Sequence, residues 1–286
     1  MQKRSKQGEF SMAVPYVSVL LPVYNGRGYL ESAICSILRS TFTDYEVVTI
    51  DDGSTDGSHS ILEDCAKRYP GKILVHRFEQ NRGMDIAMNY AISKVASGSY
   101  IARLNQDDEM LEDRLAQQVA FLDANPEVVV VGGQMALMNE RGEEFGRISY
   151  PLDDATLRSR WMKVSPFGDP CVMYRREIWD RVGGYKQSYW PVDDLALWFL
   201  MGQEGKLANI PNLVTRMRWH KGGGSFSRYR LMVRKQFAVR WWAWRSLRLE
   251  VSMGDIFFWI AQLASGVILS PRLNWEAYRL VKRFLP

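Results

Sequence analysis

The chain alternates short apolar runs with segments in which apolar residues recur every three or four positions. Strands buried in a sheet are typically short runs of β-branched or other apolar residues. Five such runs occur, at Val17–Leu21, Glu46–Ile50, Ile73–Phe78, Tyr100–Leu104 and Val128–Val131. Stripes with helical spacing lie between the first four of them, at 30–38, 61–69 and 86–95. The alternation predicts βαβ units and an α/β fold with a mostly parallel central sheet flanked by helices.

Polar motifs follow the first four predicted strands directly. PVYNG follows the first strand, DDGSTDG the second, EQNRGMD the third and NQDDE the fourth. In an open α/β sheet the ligand site lies beyond the carboxyl ends of the strands, so these motifs are expected to meet at one edge. Each motif alone also fits a solvated turn or an acidic helix start. The four together favour a binding site.

The chemistry of these motifs excludes some classes of enzyme. No GxGxxG follows the first strand and no GxxxxGK[ST] occurs in the sequence, which disfavours dinucleotide redox chemistry and P-loop phosphoryl transfer. Amide and carboxylate groups instead suit a nucleobase, ribose hydroxyls and a hard cation. Mn²⁺ or Mg²⁺ takes one or two carboxylates together with phosphate oxygens, and Asp107 and Asp108 are adjacent carboxylates.

The length of the chain and its cysteines bear on its domain organisation and its cellular compartment. With 286 residues, the chain suits one large domain or one domain with a small appendage. The three cysteines are widely spaced and form no CxxC, which indicates a reducing compartment. Residues 1–13 are polar and lack the apolar stretch of a secretory signal, so they are interpreted as a disordered leader of a cytoplasmic protein.

Charge divides the chain into two parts. The net charge is +5, but the residues from Arg228 onward contain eleven Lys/Arg and three acidic residues, together with five of the ten Trp. We therefore predict a catalytic domain at 14–227 and a basic, aromatic, helical tail at 228–286. Arginine with tryptophan suits an interfacial helix on an anionic membrane surface, here the inner face of the cell membrane.

Alternatives for the tail stay open at this point. Its helices could instead pack back on the catalytic domain or on a partner subunit. The apolar run Ile256–Leu269 is too short to cross a bilayer as a helix. No nucleic-acid-binding module is recognisable, so no nucleic-acid partner is expected.

Five segments in order resemble the family 2 glycosyltransferases with the GT-A fold. They are VSVLLPVYNGRGYLESAICSIL, VVTIDDGSTDGS, NRG, YIARLNQDDEM and VDDLALWFLMGQEGKLANIP, and the resemblance runs from about Val17 to about Ser227. It implies transfer of a sugar from a nucleotide diphosphate sugar, with UDP expected as the nucleotide, usually with inversion. The acceptor would be a hydroxyl of a saccharide or a lipid-linked molecule, in the synthesis of cell-surface polysaccharide or glycolipid.

The resemblance also implies roles for individual residues near the donor. Those expected to bind the nucleotide or the donor sugar are Pro22, Val23, Tyr24, Asn25, Asp52, Gly83, Asn105, Asp107 and Gly184. The expected metal ligands are Asp107, Asp108 and His220. Lys221 and Ser225 follow in a glycine-rich stretch that we interpret as a loop closing over the donor.

Two positions depart from the family pattern. The family's metal-binding stretch is commonly Asp-x-Asp-Asp, and Asn105 stands at its first carboxylate. An amide keeps an oxygen acceptor but removes a negative charge, so the cation affinity should fall. Met88 stands where the family often has an arginine, which puts nucleobase or phosphate contacts there in doubt.

The acceptor side lies further along the chain. In VDDLALW, Asp194 falls at the position of the family's catalytic base, with Asp193 beside it. A carboxylate there would take the proton of the acceptor hydroxyl, which contributes roughly 10²–10⁴-fold to the rate. The expected acceptor-side residues are Asp193, Tyr185 and Trp198. The same stretch also fits a capped helix with Trp198 in the core.

Two other functions stay open on the sequence alone. One is a nucleotidyltransferase on a similar fold, although PVYNGRGYL lacks the basic signature that this reaction needs. The other is a nucleotide-sugar-binding protein without turnover, which the departures at Asn105 and Met88 make conceivable.

Overall fold

A computed structural model describes residues 14–220, 228–268 and 273. The strands are β1 (Val17–Val23), β2 (Tyr45–Asp51), β3 (Ile73–Arg77), β4 (Tyr100–Arg103), β5 (Glu109–Met110), β6 (Val128–Met138), β7 (Glu144–Ile148), β8 (Met173–Arg175) and β9 (Lys206–Arg218). The α-helices are α1 (Leu30–Leu38), α2 (Ser58–Arg68), α3 (Met84–Tyr90), α4 (Arg114–Ala124), α5 (Asp154–Arg160), α6 (Arg176–Val182), α7 (Asp193–Glu204), α8 (Tyr229–Ser246) and α9 (Met253–Ile268). A π-helical turn, Ala91–Val95, continues α3.

All five predicted strands are strands, and the three helical stripes are helices. The strands β5, β7, β8 and β9 are not predicted by the sequence pattern, and β6 extends from the predicted end at Val131 to Met138. Two glycines, Gly132 and Gly133, interrupt the apolar run there. The strand continues because β6 pairs with β9 along this stretch, with one register shift between Gly132 and Gln134 and another between Gln134 and Met135. Tertiary pairing thus overrides the local sequence signal.

One sheet of nine strands organises the molecule. Its order is β3-β2-β1-β4-β8-β6-β9-β5, with β7 paired to β6. The predicted parallel arrangement is confirmed for β1 to β4 and for β6 with β9. Strand β8 is antiparallel to both β4 and β6, so the sheet as a whole is mixed.

The parallel half brings the polar motifs to one edge. Val23 at the end of β1 is in register with Asp51 at the end of β2, and Leu20 is in register with Arg103 at the end of β4. The loops that follow these strands therefore emerge side by side, as expected for the carboxyl ends of parallel strands.

Helices cover both faces of the sheet. One apolar cluster joins the sheet to α1, α2 and α4, and the other joins it to α3, α6 and α7. The second cluster also contains Val239 and Ala243 of α8 and Trp259 of α9. The first part of the predicted tail thus packs on the catalytic domain, in agreement with the alternative that the sequence left open.

Specific polar contacts fix the α8–α9 hairpin on the domain. The Trp259 indole N–H donates to the carbonyl of Met162. The buried Arg240 guanidinium donates to the carbonyl of Lys163 and to Gln262 of α9, both at 2.6 Å. In the parts of the chain that the structure describes, no helix is long and apolar enough to span a membrane.

A buried arginine at the start of α4 connects the elements around the strand ends. Arg114 is almost completely buried. Its Nε donates to Gln118, Nη1 donates to the Pro170 carbonyl and the Thr215 hydroxyl, and Nη2 donates to the carbonyls of Arg103 and Val172, at 2.7–3.2 Å. These five bonds use all five donors of a guanidinium group. They link the end of β4, the segment before β8 and the middle of β9.

Replacing this guanidinium should destabilise the fold strongly. Arg114→Met keeps an unbranched side chain but removes all five hydrogen bonds from the charged guanidinium to buried acceptors, which contribute about 1.5–3 kcal/mol each. We expect the free energy of unfolding, measured by urea denaturation, to fall by on the order of 3 kcal/mol or more. Arg39→Met, at an exposed position paired with Glu112, is the matched control and should change it little. Equal losses in the two variants would contradict this role for Arg114.

Candidate active site

The loop after β2 holds the loop after β3. Asp52 lies directly after β2 and is buried. Its two carboxylate oxygens accept hydrogen bonds from the backbone N–H groups of Arg82 and Gly83, at 2.7 and 2.9 Å. Gly83 has a φ of +102°, a conformation that residues with a side chain rarely adopt. Asp52 therefore positions Gly83 at the strand edge, which is where the sequence predicts the nucleotide.

The loop after β1 is fixed by side chains from two neighbouring loops. The backbone N–H of Asn25 donates to the Ser54 hydroxyl at 3.0 Å, and its side-chain oxygen accepts from Thr55 N–H at 2.9 Å. Gln106 bonds to both the N–H and the carbonyl of Tyr24, at 2.8 and 3.0 Å. Pro22 and Val23 end β1, and the Tyr24 side chain is exposed beside them. The sequence reasoning missed Gln106, whose signal is an amide inside an acidic motif.

The two adjacent aspartates after β4 have different environments. Asp108 is 1% exposed, and its oxygens accept from the Arg218 N–H at 2.8 Å and from the Asn105 amide at 2.9 Å. Burial, reinforced by the neighbouring charge of Asp107, raises the pKa of the Asp108 carboxyl well above its usual range. Asp108 thus anchors the end of β9, and its predicted role as a metal ligand stays a prediction.

Asp107 instead faces the residue that follows β9. Its carboxylate lies 2.8 Å from Nε2 of His220, and the His220 ring packs against Tyr29 with ring centroids 5.1 Å apart. Strand β9 places His220 there because Arg218 binds the Asp107 carbonyl and Glu109 as well as Asp108, each at 2.8–3.0 Å. Two of the three predicted metal ligands are therefore in direct contact.

The Asp107–His220 pair fits a divalent cation that takes its other ligands from elsewhere. Over residues 14–220 and 228–268 the structure holds no group of three or more His, Cys, Asp or Glu arranged for a metal. One carboxylate and one imidazole could nevertheless be the two protein ligands of a metal whose other ligands are phosphate oxygens and water. Any further contribution from Lys221 and Ser225 lies outside the described residues.

A pair of aspartates begins helix α7 near the end of β4. Asp193 is 4% exposed, whereas Asp194 is partly exposed. Burial, followed by the charge of Asp194, raises the pKa of Asp193 to about 7. Burial also raises the pKa of Asp194, and the positive charge of Arg103 opposes that shift. A partly exposed carboxylate with a raised pKa is suited to proton transfer near neutral pH.

The cation beside this pair was missed by the sequence reasoning. Arg103 is buried at the end of β4, and its Nη1 donates to Asp169 at 2.6 Å. Burial raises the pKa of Asp169 to about 7, against the lowering effect of Arg103. The available signal is an arginine within the otherwise apolar run YIARL. A charged residue in a buried strand requires a partner, which here is Asp169, and such buried ion pairs are one signal of a candidate site.

The remaining predicted residues divide into loop and core. Gly184, with a φ of +72°, and Tyr185 follow α6, where Asn89 exchanges two hydrogen bonds of 2.9 Å with the Tyr185 backbone. The Tyr185 ring is buried, and its hydroxyl lies 3.3 Å from that of Tyr174. Trp198 is 0% exposed, so it cannot contact an acceptor in this conformation and the expected acceptor role is corrected to a core role.

The departure at Met88 also has a structural explanation. Met88 is buried in the apolar cluster that covers α3, next to Ala87 and Ala91. It therefore contributes to packing and not to a polar surface at the strand edge.

Comparison with known proteins identifies the family. Residues 18–183 match the family described as Glycosyl transferase family 2. The putative glycosyltransferase EpsE of Bacillus subtilis is 31% identical over 193 residues, which cover 67% of this chain and 68% of that protein. The putative teichuronic acid biosynthesis glycosyltransferase TuaG of the same organism is 27% identical and covers 80% of this chain and 92% of its own length. The protein therefore belongs to glycosyl transferase family 2 and is a glycosyltransferase.

Solved structures agree on the GT-A fold. Staphylococcus aureus TarS 1-349 in complex with UDP superposes with a TM-score of 0.62 at 18% identity, over 88% of this chain and 70% of that one. The mannosyltransferase PcManGT of Pyrobaculum calidifontis, in complex with GDP-Man and Mn²⁺, gives 0.62 at 20% identity, over 94% and 74%. The family membership leaves the nucleotidyltransferase alternative without support.

Because the pKa of Asp193 is raised, replacing Asp193 by asparagine should stabilise the protein, and more so at higher pH. Between about pH 4 and pH 7 the unfolded chain loses this proton while the folded protein keeps it, so the contribution of Asp193 to stability falls as the pH rises. Asp193→Asn has no proton to lose. We expect its melting temperature, relative to wild type, to be higher at pH 8 than at pH 5 by on the order of 5 °C.

Asp180→Asn on the exposed side of α6 is the matched control. Its difference from wild type should be nearly the same at the two pH values. A melting-temperature difference for Asp193→Asn that does not change with pH would show that the Asp193 carboxyl has an ordinary pKa.

Proposed function

We propose that this glycosyltransferase transfers a sugar from a nucleotide diphosphate sugar to a hydroxyl of a saccharide or lipid-linked acceptor. Two observations support the proposal: Asp107, paired with His220, follows β4 within a few residues, and the partly exposed Asp194 is influenced by the charge of Arg103, the last residue of β4. Its biosynthetic setting is cell-surface polysaccharide or glycolipid, which the name of TuaG supports. The three cysteines are free, which fits a reducing, cytoplasmic location.

The donor would occupy the strand edge between the first three loops. Tyr24 and Asn25 would face the nucleobase and ribose, and Gly83, held by Asp52, would allow the backbone to approach the nucleotide closely. A UDP-sugar is the donor that we propose first, because TarS binds UDP in a structure of the same fold. PcManGT binds GDP-Man, so GDP-sugars are the second class to test.

Asp107 and His220 would hold Mn²⁺ or Mg²⁺ together with diphosphate oxygens. A cation bound there would offset the negative charge that develops on the departing nucleoside diphosphate. Asp108 and Asn105 would have positioning roles. Asp108 accepts a hydrogen bond from Arg218 and so fixes the end of β9, and the Asn105 amide orients the Asp108 carboxylate.

Asp194 would act as the general base. Its carboxylate takes the proton of the acceptor hydroxyl while that oxygen forms a bond to the anomeric carbon of the donor sugar. The bond from this carbon to the phosphate oxygen breaks, and its electron pair leaves with the nucleoside diphosphate. A single displacement of this kind inverts the anomeric configuration, as the family resemblance implies. Asp193 holds a proton near neutral pH and so limits the negative charge next to the base.

Removing the base should slow transfer strongly and leave donor binding nearly unchanged. We expect Asp194→Asn to lower kcat by roughly 10²–10⁴-fold, since the variant lacks the proton acceptor. Turnover is measured as nucleoside diphosphate released from candidate donors in the presence of Mn²⁺ and acceptor. Donor affinity, measured by calorimetry, should stay within about threefold of wild type.

Asp180→Asn serves as the control for replacing an aspartate on a helix surface and should keep wild-type turnover. Full activity in Asp194→Asn would show that another group accepts the proton. A wild-type protein that binds donors but releases no nucleoside diphosphate with any donor or acceptor would support the binding protein without turnover.

Asn105 provides a test of the metal site. In Asn105→Asp a carboxylate replaces the amide that donates to Asp108. The metal-free variant should therefore lose stability through repulsion between like charges. Mn²⁺ should then raise the melting temperature of the variant more than that of wild type, by a few degrees. Thermal melts with and without Mn²⁺ measure this difference.

Asn125→Asp is the matched control because the Asn125 side-chain amide also donates a hydrogen bond. Asn125 lies before the start of β6, whereas the end of β6 pairs with Arg218 near the candidate site. Its response to Mn²⁺ should equal that of wild type. If Asn105→Asp also responds as wild type does, the cation does not bind near Asp107 and Asp108.

A further inference from the structure

The outward side of helix α9 carries an unbroken apolar stripe. Met253, Phe257, Ile260, Ala264 and Ile268 recur at helical spacing, and all five are exposed. The four large side chains, all but Ala264, are 55–78% exposed. Water-facing stripes on helices are normally polar. We call these five residues the α9 stripe.

The opposite side of the same helix is already occupied. Trp259 is buried and donates to the Met162 carbonyl. Asp255, the one charged residue of α9, is turned inward to Ser252 and Lys163. The catalytic domain and helix α8 thus cover the other sides of α9, and within the described residues nothing covers the stripe.

The neighbouring helix exposes cations. Arg230, Arg234 and Arg245 lie on the exposed side of α8 together with Trp241, which is 48% exposed. Helix α8 contains no acidic residue. Residues 228–268 contain seven Lys/Arg and two acidic residues, Glu250 and the inward-facing Asp255, and the sequence after α9 adds four Lys/Arg against one Glu.

The combination selects one kind of partner. A water-facing apolar helix beside exposed arginines matches an amphipathic element that lies in the plane of a membrane, with the arginines near anionic headgroups. The sixteen residues of α9 give a helix of about 24 Å. It does not reach across the hydrocarbon layer of about 30 Å, and one of its sides packs on the domain, which suits a helix in the plane of the membrane better than a span. A protein partner would need acidic groups to match the arginines.

We propose that the α8–α9 hairpin docks the enzyme on an anionic membrane leaflet, with the α9 stripe inserted among the lipid chains and the α8 arginines against the headgroups. The inference goes beyond the transfer reaction and does not depend on it. It assigns the surface through which a membrane-borne acceptor would be reached.

Co-sedimentation of the full chain with vesicles tests the proposal. We expect wild type to bind vesicles of phosphatidylcholine with 30% phosphatidylglycerol at least roughly tenfold more tightly than vesicles of phosphatidylcholine alone. The double variant Phe257→Ser/Ile260→Ser should lose roughly tenfold or more of its affinity for the anionic vesicles. Arg234→Gln/Arg245→Gln should weaken binding at low salt and reduce its salt dependence.

The matched control is Phe145→Ser/Leu152→Ser, which removes two exposed apolar side chains far from the hairpin in sequence. It should bind vesicles as wild type does, and circular dichroism should show all variants folded. Equal binding by the stripe variant and the control would overturn the proposal. So would a wild-type dimer that binds no vesicles and becomes monomeric in the stripe variant, because the stripe would then be a contact between two copies of the chain.

Discussion

The five hydrogen bonds of the Arg114 guanidinium join the parts of the chain that form the candidate site. They reach the last residue of β4, from which the NQDD loop starts, and the segment that carries Asp169. They also reach Thr215 of β9, three residues before Arg218. These segments lie far apart in sequence, and the buried guanidinium bonds to acceptors in all of them. The geometry of the site thus depends on a side chain that touches no expected ligand.

Several buried carboxyl groups of the candidate site share one neighbouring cation, Arg103. Asp169, Asp193 and Asp194 all lie near Arg103, and burial raises the pKa of each. Asp85 adds a buried oxygen without a hydrogen-bond partner among the described residues, and burial raises its pKa as well. One guanidinium does not offset the cost of burying four carboxyl groups, which agrees with the raised pKa of each. Buried acids of this kind lower stability and are common at sites of proton transfer, which agrees with the role proposed for Asp194.

The sequence predicts the sheet and its polar edge well because both follow from local periodicity and from the geometry of parallel strands. It cannot tell Asp107 from Asp108, which are chemically identical neighbours; the backbone after β4 turns one toward His220 and the other toward Arg218. It also gives no partner for Arg103, since Asp169 lies 66 residues away. Nor does it assign the exposed apolar side of α9, because that side is defined by tertiary packing: the domain covers the opposite face, which contains Trp259.

The packing of the hairpin has a consequence for how the enzyme would approach its acceptor. Val239 and Ala243 of α8 share an apolar cluster with Leu195 and Phe199 of α7, the helix that begins with Asp193 and Asp194. Close-packed helices move together, so the outward face of the hairpin and the aspartate pair keep a fixed relation. A flexible linker would let the catalytic domain sample many orientations. A shared core instead gives the catalytic domain one orientation relative to the hairpin. An acceptor in a membrane bound by α8 and α9 would therefore reach the strand edge from a single direction.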